Sequence, residues 1–192
     1  MAPFRLTYGK MELIEKNWQL VADKFHGKFR NILSTSPAII DPINNKIRRF
    51  ELHIPLAGSN MIFRTSENHH FKVDYKFKHI LDFEMQIYPE DFFEKISKLL
   101  GMKEVEIGNS DFDNKYIIKS TEPEYTKELL DNTIQSYMVK FNIYSFQLTT
   151  DSESNLMIMP YIKEQETQEL EGFILFTGYL IKRMTEINDR CI

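Results

Sequence analysis

Cysteine is nearly missing: Cys191 alone among 192 residues excludes an intramolecular disulfide framework and a thiolate-rich metal site. Glycine and proline are scarce too, 7 of each, which removes the collagen-like and low-complexity classes. No apolar run reaches the roughly 18 residues that a helical membrane span requires. The longest candidate, Gly172 to Ile181, is interrupted by Thr177 and Tyr179. The opening Met1-Ala2-Pro3-Phe4-Arg5 lacks the charged start, apolar centre and small-residue cleavage site of a secretory signal. Together these absences predict a soluble protein of the reducing cytoplasm.

What is present is core material. With 42% hydrophobic, 13% aromatic and 27% charged residues, the chain has the composition of one ordinary globular domain, long enough to bury a core. Charge is uneven along it. Residues 1–80 hold 13 Lys/Arg against 7 Asp/Glu, and residues 81–192 hold 11 against 21. Mutual screening within one domain accounts for such a gradient, and the sharper reading is a basic face for an anionic partner. A pI of about 5.8 and only 7 arginines argue against a sequence-specific nucleic-acid binder.

Periodicity divides the chain into elements. Met11, Ile14, Trp18, Val21, Ala22 and Phe25 recur at three- and four-residue spacing before Gly27, predicting an amphipathic helix over 10–26. About five strands follow, at 28–33, 50–54, 60–66, 71–77 and 83–87. The clearest alternates Phe71, Val73, Tyr75 and Phe77 with Lys72, Asp74, Lys76 and Lys78, the two-residue period of a half-buried strand. Asn44-Asn45 and Glu67-Asn68 read as polar turns. Pro89 to Gly101, with Phe92, Phe93, Ile96, Leu99 and Leu100 on one stripe, reads as a second helix. Strands through 105–107 and 116–118 flank a polar turn at 108–111. Thr121 and Glu124 have the spacing of a capping box opening a helix over 122–138, and strands follow near 141–149 and 155–162. The last helix, 166–188, sets Leu170, Phe173, Ile174, Thr177, Leu180, Ile181, Met184 and Ile187 on one face. Strands in sequence joined by short turns predict antiparallel pairing, and one-striped helices predict cover on one side. The expected fold is α+β: a single domain over 1–192, with a largely antiparallel sheet and about four helices packed on one side.

Motifs of known chemistry are absent. Neither Gly-x-Gly-x-x-Gly nor the phosphate loop ending in Gly-Lys-Ser/Thr occurs, so nucleotide binding has no support, and Gly-x-Ser-x-Gly is missing too. Among His26, His53, His69, His70 and His79 no pair has helical His-x-x-x-His spacing, and neighbours such as His69 and His70 point oppositely on a strand. Asp111 and Asp113 resemble the opening of a calcium loop but lack its glycine and its distal Glu. No metal and no cofactor are expected. The paired carboxylates Glu104/Glu106 and Glu122/Glu124 read as a polar strand face and a helix first turn.

One surface has a physical suggestion. On the strand over 70–78 the side away from the core offers His70, Lys72, Lys76 and Lys78, interrupted by Asp74, and a nearby strand adds Arg49 and His53 with Glu51. Such a face suits a phosphate, an anionic headgroup or an acidic protein. A solvated outer face whose lysines discourage edge pairing accounts for the same residues.

The run Lys98-Leu99-Leu100-Gly101-Met102, then Glu106-Ile107-Gly108-Asn109, Phe112-Asp113 and Tyr116-Ile117-Ile118-Lys119-Ser120 with Leu129-Leu130, resembles a segment of uncharacterised bacterial proteins. The likeness covers about 83–130, and the early Trp18 and Val21-Ala22 helix agrees with it. Asn109 stands where that pattern has Asp. The resemblance implies a bacterial protein and carries no catalytic residue. The reading is a non-enzymatic binding or interaction domain, and the alternative is a hydrolase-type enzyme with a site assembled from scattered residues.

Overall fold

The computed structural model describes residues 8–35, 46–67, 69–90, 102–162 and 165–190. Helix α1 (Tyr8–Lys24) leads into strands β1 (Lys28–Thr35), β2 (Lys46–Leu56), β3 (Ser59–Ser66), β4 (His69–Lys76) and β5 (Met85–Pro89). After β6 (Lys103–Glu104) come the one-turn α2 (Ser110–Asp113), β7 (Tyr116–Ser120), α3 (Pro123–Leu129) and α4 (Asn132–Lys140). The hairpin β8 (Ile143–Thr150) and β9 (Ser154–Pro160) precedes the long α5 (Thr167–Asp189). The strands form one sheet in the order β1-β2-β3-β4-β9-β8-β5-β7-β6, every pairing antiparallel. The fold is α+β, as the period changes along the sequence require.

Alternation explains why these strands form. In β4, Phe71, Val73 and Tyr75 are buried while His70 and Lys76 are exposed. The apolar set joins one core with Phe50, Leu52, Phe63, Ile87, Ile118, Phe146 and Ile158 from other strands. Helices α1 and α5 press their stripes into it: Met11, Ile14, Trp18, Val21 and Ala22 from the first, and all eight expected positions from the last, are buried. Phe25 packs at the core's margin. Gly27 sits so close to β2 that a Cβ would meet the His53 carbonyl oxygen at 2.9 Å. The β2–β3 turn needs left-handed backbone at Ala57 and Gly58 (φ 47° and 76°), the two-residue geometry whose twist suits a hairpin.

Several local expectations are corrected. Pro89 closes β5, paired with Tyr116, instead of opening a helix; the stripe expected over Phe92 to Leu100 lies outside the described residues, as do Asn44-Asn45, Asn68 and Cys191. The strand expected at 105–107 is displaced to Lys103–Glu104, with the Val105 amide still donating to the Ile118 carbonyl. The helix expected over 122–138 is two helices. The first ends at Leu129, Leu130 leaves helical geometry (φ −81°, ψ 56°), and Asp131 caps α4 by accepting from the Ile134 amide at 2.9 Å. The capping box does not form: the Thr121 hydroxyl accepts from the Glu84 amide instead, and no side chain caps α3. The polar turn at 108–111 tightens into α2, where the Asp113 carboxylate accepts from the Ile107 and Gly108 amides at 3.0 and 2.9 Å. That carboxylate holds its own loop rather than presenting oxygens for calcium.

Candidate functional site

The residues left over by core formation line the other face of the sheet. Their register is set by the hairpins. Counting back from the Ala57-Gly58 turn puts Glu51 opposite Arg64, and the next pairing puts Arg64 opposite Lys72. Arg64 therefore stands between β2 and β4 carboxylates. Its Nε donates to Glu51 Oε1 at 3.1 Å, and its guanidinium also pairs with Asp74. Lys72 Nζ lies 3.1 Å from Asp74 Oδ2, His53 Nε2 lies 3.3 Å from Glu51 Oε2, and Lys76 pairs with Glu153 from the β8–β9 loop.

These pairings rewrite the basic face. Lys72 and Lys76 are already neutralised, and Lys78 is not on the strand at all: β4 ends at Lys76, and the Lys78 side chain folds over Gly58 at the β2–β3 turn. Arg49, by contrast, is exposed and has no carboxylate partner among the described residues. It borders a concavity of about 600 Å³ whose lining also includes Glu51, Arg64, His69, His70 and Lys72. Arg64 and Lys72 are thus paired with carboxylates there while Arg49 is not, and both histidines are exposed.

Two irregularities shape this hollow. The β3–β4 register shifts between Arg64 and Ser66, burying both Thr65 and Ser66, and the Ser66 hydroxyl accepts from the His69 amide at 3.1 Å. The β8–β9 register shifts between Ile143 and Ser145, and the extra residue, Tyr144, sets its ring edge-on to His70 with centroids 5.9 Å apart. Bulges re-aim side chains and recur beside binding sites.

Electrostatics follow the same geometry. Burial alone pushes the Glu51 carboxyl up, but the hydrogen bonds from His53 and Arg64, with their charges, outweigh it and hold this group below the usual carboxylate range. Burial pushes the Tyr144 phenol up to about 12, and its hydroxyl has no partner among the described residues.

No protein-family model matches the sequence, and no curated protein matches it either. Among solved structures, the chain is similar to the crystal structure of the mycobacterial trehalose monomycolate transport factor A, TtfA. The TM-score is 0.57 at 9% sequence identity, over 91% of this chain and 95% of that one. The likeness is one of fold. It supports the α+β architecture across nearly the whole chain and assigns no residue a role.

Of the residues expected from the sequence, His70, Lys72 and the neighbouring Arg49 line this concavity. Arg64 and His69 line it as well and were not among the expected binding residues. The first was legible in principle, because the two-residue turn at Ala57-Gly58 fixes which residues face one another across β2 and β3. No three His, Cys, Asp or Glu side chains among the described residues stand close enough to share a metal ion. Among the described residues, no helix is long and apolar enough to cross a membrane.

Proposed function

We propose that this protein is a non-enzymatic binding domain that takes an anionic ligand or an acidic partner on the outer face of its sheet. One observation carries the reading: the carboxylates of that face neutralise Arg64, Lys72 and Lys76, leaving Arg49 unpaired beside His69 and His70 in a concavity of about 600 Å³, a size ordinary for small-ligand sites. Arg49 supplies a planar donor fork suited to an oxyanion. Arg64, fixed from both sides, supplies a preorganised second guanidinium, and Lys72 and His70 complete the rim. A cytoplasmic setting suits a chain with one cysteine, and the resemblance of 83–130 to uncharacterised bacterial proteins adds a bacterial origin to the proposal.

The test is titration of the full chain with inorganic phosphate at low ionic strength, followed by amide chemical shifts. Shifts are expected at Arg49, His69, His70 and Lys72 and should shrink as salt rises, since exposed charges are screened over about 8 Å at physiological ionic strength. Arg49→Gln should weaken binding about tenfold, the worth of one charge-assisted hydrogen bond, whereas Lys78→Gln should leave it unchanged. Equal binding by the parent and Arg49→Gln, or shifts confined to another surface, would falsify the assignment.

A further inference from the structure

The phosphate-sized hollow around Arg49 does not stand alone. A second concavity of about 370 Å³ adjoins it on the same face, and Arg64 lines both. The second differs in chemistry. Ser59, Asn60, Gln147, Thr149 and Asn155 line it, and none of these side chains hydrogen-bonds to another described residue. Its other two charged residues are already committed, Asp74 to Arg64 and Lys72, and Lys76 to Glu153. Apolar side chains are few: Leu156 and Tyr75 turn theirs into the core, leaving Ile62 and Met157 at the floor. The pairings Ile62 with Asp74, Lys76 with Asn155, and Asn155 with Thr149 carry this lining across β3, β4, β9 and β8.

Amides and hydroxyls both donate and accept, and so do the hydroxyls of a sugar. A lobe of fixed charges would match only one half of that capacity, and a lobe for an acyl chain would need a continuous apolar floor. Arg64 and Asn60 are four residues apart on β3, about 13 Å at the usual strand rise, which is a span for a body larger than phosphate alone. We infer that the two lobes form one site for a phosphorylated saccharide, with the phosphoryl group on Arg49, His69 and Arg64 and the sugar hydroxyls on Asn60, Gln147 and Asn155. This rests on the anion-binding reading and narrows it to a ligand class.

Calorimetry on the full chain with sucrose 6-phosphate, sucrose and inorganic phosphate separates the two claims. The phosphorylated disaccharide should bind about tenfold tighter than inorganic phosphate, the worth of one to two added hydrogen bonds. The double variant Gln147→Ala/Asn155→Ala should lose that preference while binding inorganic phosphate as the parent does. If the ester and inorganic phosphate bind the parent equally, or the double variant keeps the preference, the saccharide inference is overturned and the anion site stands. If none of the three compounds binds, or sucrose binds as tightly as its phosphate ester, both readings fall.

Discussion

The two faces of the sheet are built from alternate residues of the same strands, and they are organised by opposite rules. On the inner face, side chains from distant elements meet without polar partners: Phe173 of α5 stands 5.2–6.2 Å from the rings of Phe63, Phe71, Phe141 and Phe176. Buried polar side chains there tie elements together. Gln165, buried and in left-handed backbone (φ 53°), accepts from Trp18 Nε1 at 2.8 Å and donates to Thr65 Oγ1 at 3.2 Å, pinning α1 and β3 at the start of α5. On the outer face, charges pair sideways along the strand register, and Arg49 is among the cations left without a carboxylate partner. The inner face therefore fixes the fold through shape. The outer face carries partly exposed charges that contribute little to that shape.

Loss of α5 should break this division most completely. A chain truncated at residue 165 loses Phe173, Ile174, Leu180, Ile181 and Met184, all buried, each worth about 1.5–3 kcal/mol, against a usual total stability of about 5–15 kcal/mol. No cooperative melting transition is expected by circular dichroism. A 1–165 fragment that melts cooperatively would show that the inner face closes without its longest helix. Phe173→Ala, a single deletion at the centre of the same cluster, should lower stability by about 3–5 kcal/mol in urea unfolding, and a loss below about 1 kcal/mol would mean that the ring is less central than its four aromatic neighbours indicate. The outer face should respond least. Glu51→Gln should cost about 1 kcal/mol or less at neutral pH, as partly exposed ion pairs usually do. Its signature is in acid: the Glu51 carboxyl titrates lower in the folded state than in the unfolded chain, so its contribution is present above the ordinary carboxylate range and is lost as pH falls through the folded-state value. The parent and Glu51→Gln stabilities should converge as that range is crossed downward. A gap that stays constant with pH would sink the ion-pair account.

The inner face was legible in the sequence because it is written in period. Alternation in β4 and the stripes of α1 and α5 named their buried residues directly, since burial of a strand or helix face depends on local spacing. The outer site was legible only as a list of charges. His70 and Lys72 could be placed on the outer face because they sit on the clearest strand, yet which charges remain free depends on Arg64 reaching Glu51, 13 positions away, and on Glu153 arriving from a hairpin distant in sequence. Lys78 was misplaced because alternation continues through Phe77, whose amide still donates to the Ser154 carbonyl at 2.9 Å, while the strand ends before Lys78. The split of α3 from α4 turns on Asp131 capping a new helix, a local signal that the apolar spacing around it does not carry. Strand order was not legible at all.

That order has a temporal side. The central strands of the sheet, β8 and β9, are the last two made, and they fill the gap between β4 and β5. During synthesis, which proceeds from the N-terminus, β1 to β4 and β5 to β7 are all made before the strands that pair with the facing edges of β4 and β5, so those edges lack their partners until Pro160 has emerged. Open edges are templates for pairing with other chains, and long-range pairing of this kind is slow. The segment that joins them meanwhile, 77–84, is later held by Ser154 and Asn188, which accept from the Leu81 and Asp82 amides at 2.7 and 2.9 Å. The hairpin thus acts as a keystone, and the interval before it arrives is when the nascent protein is most exposed to misassembly.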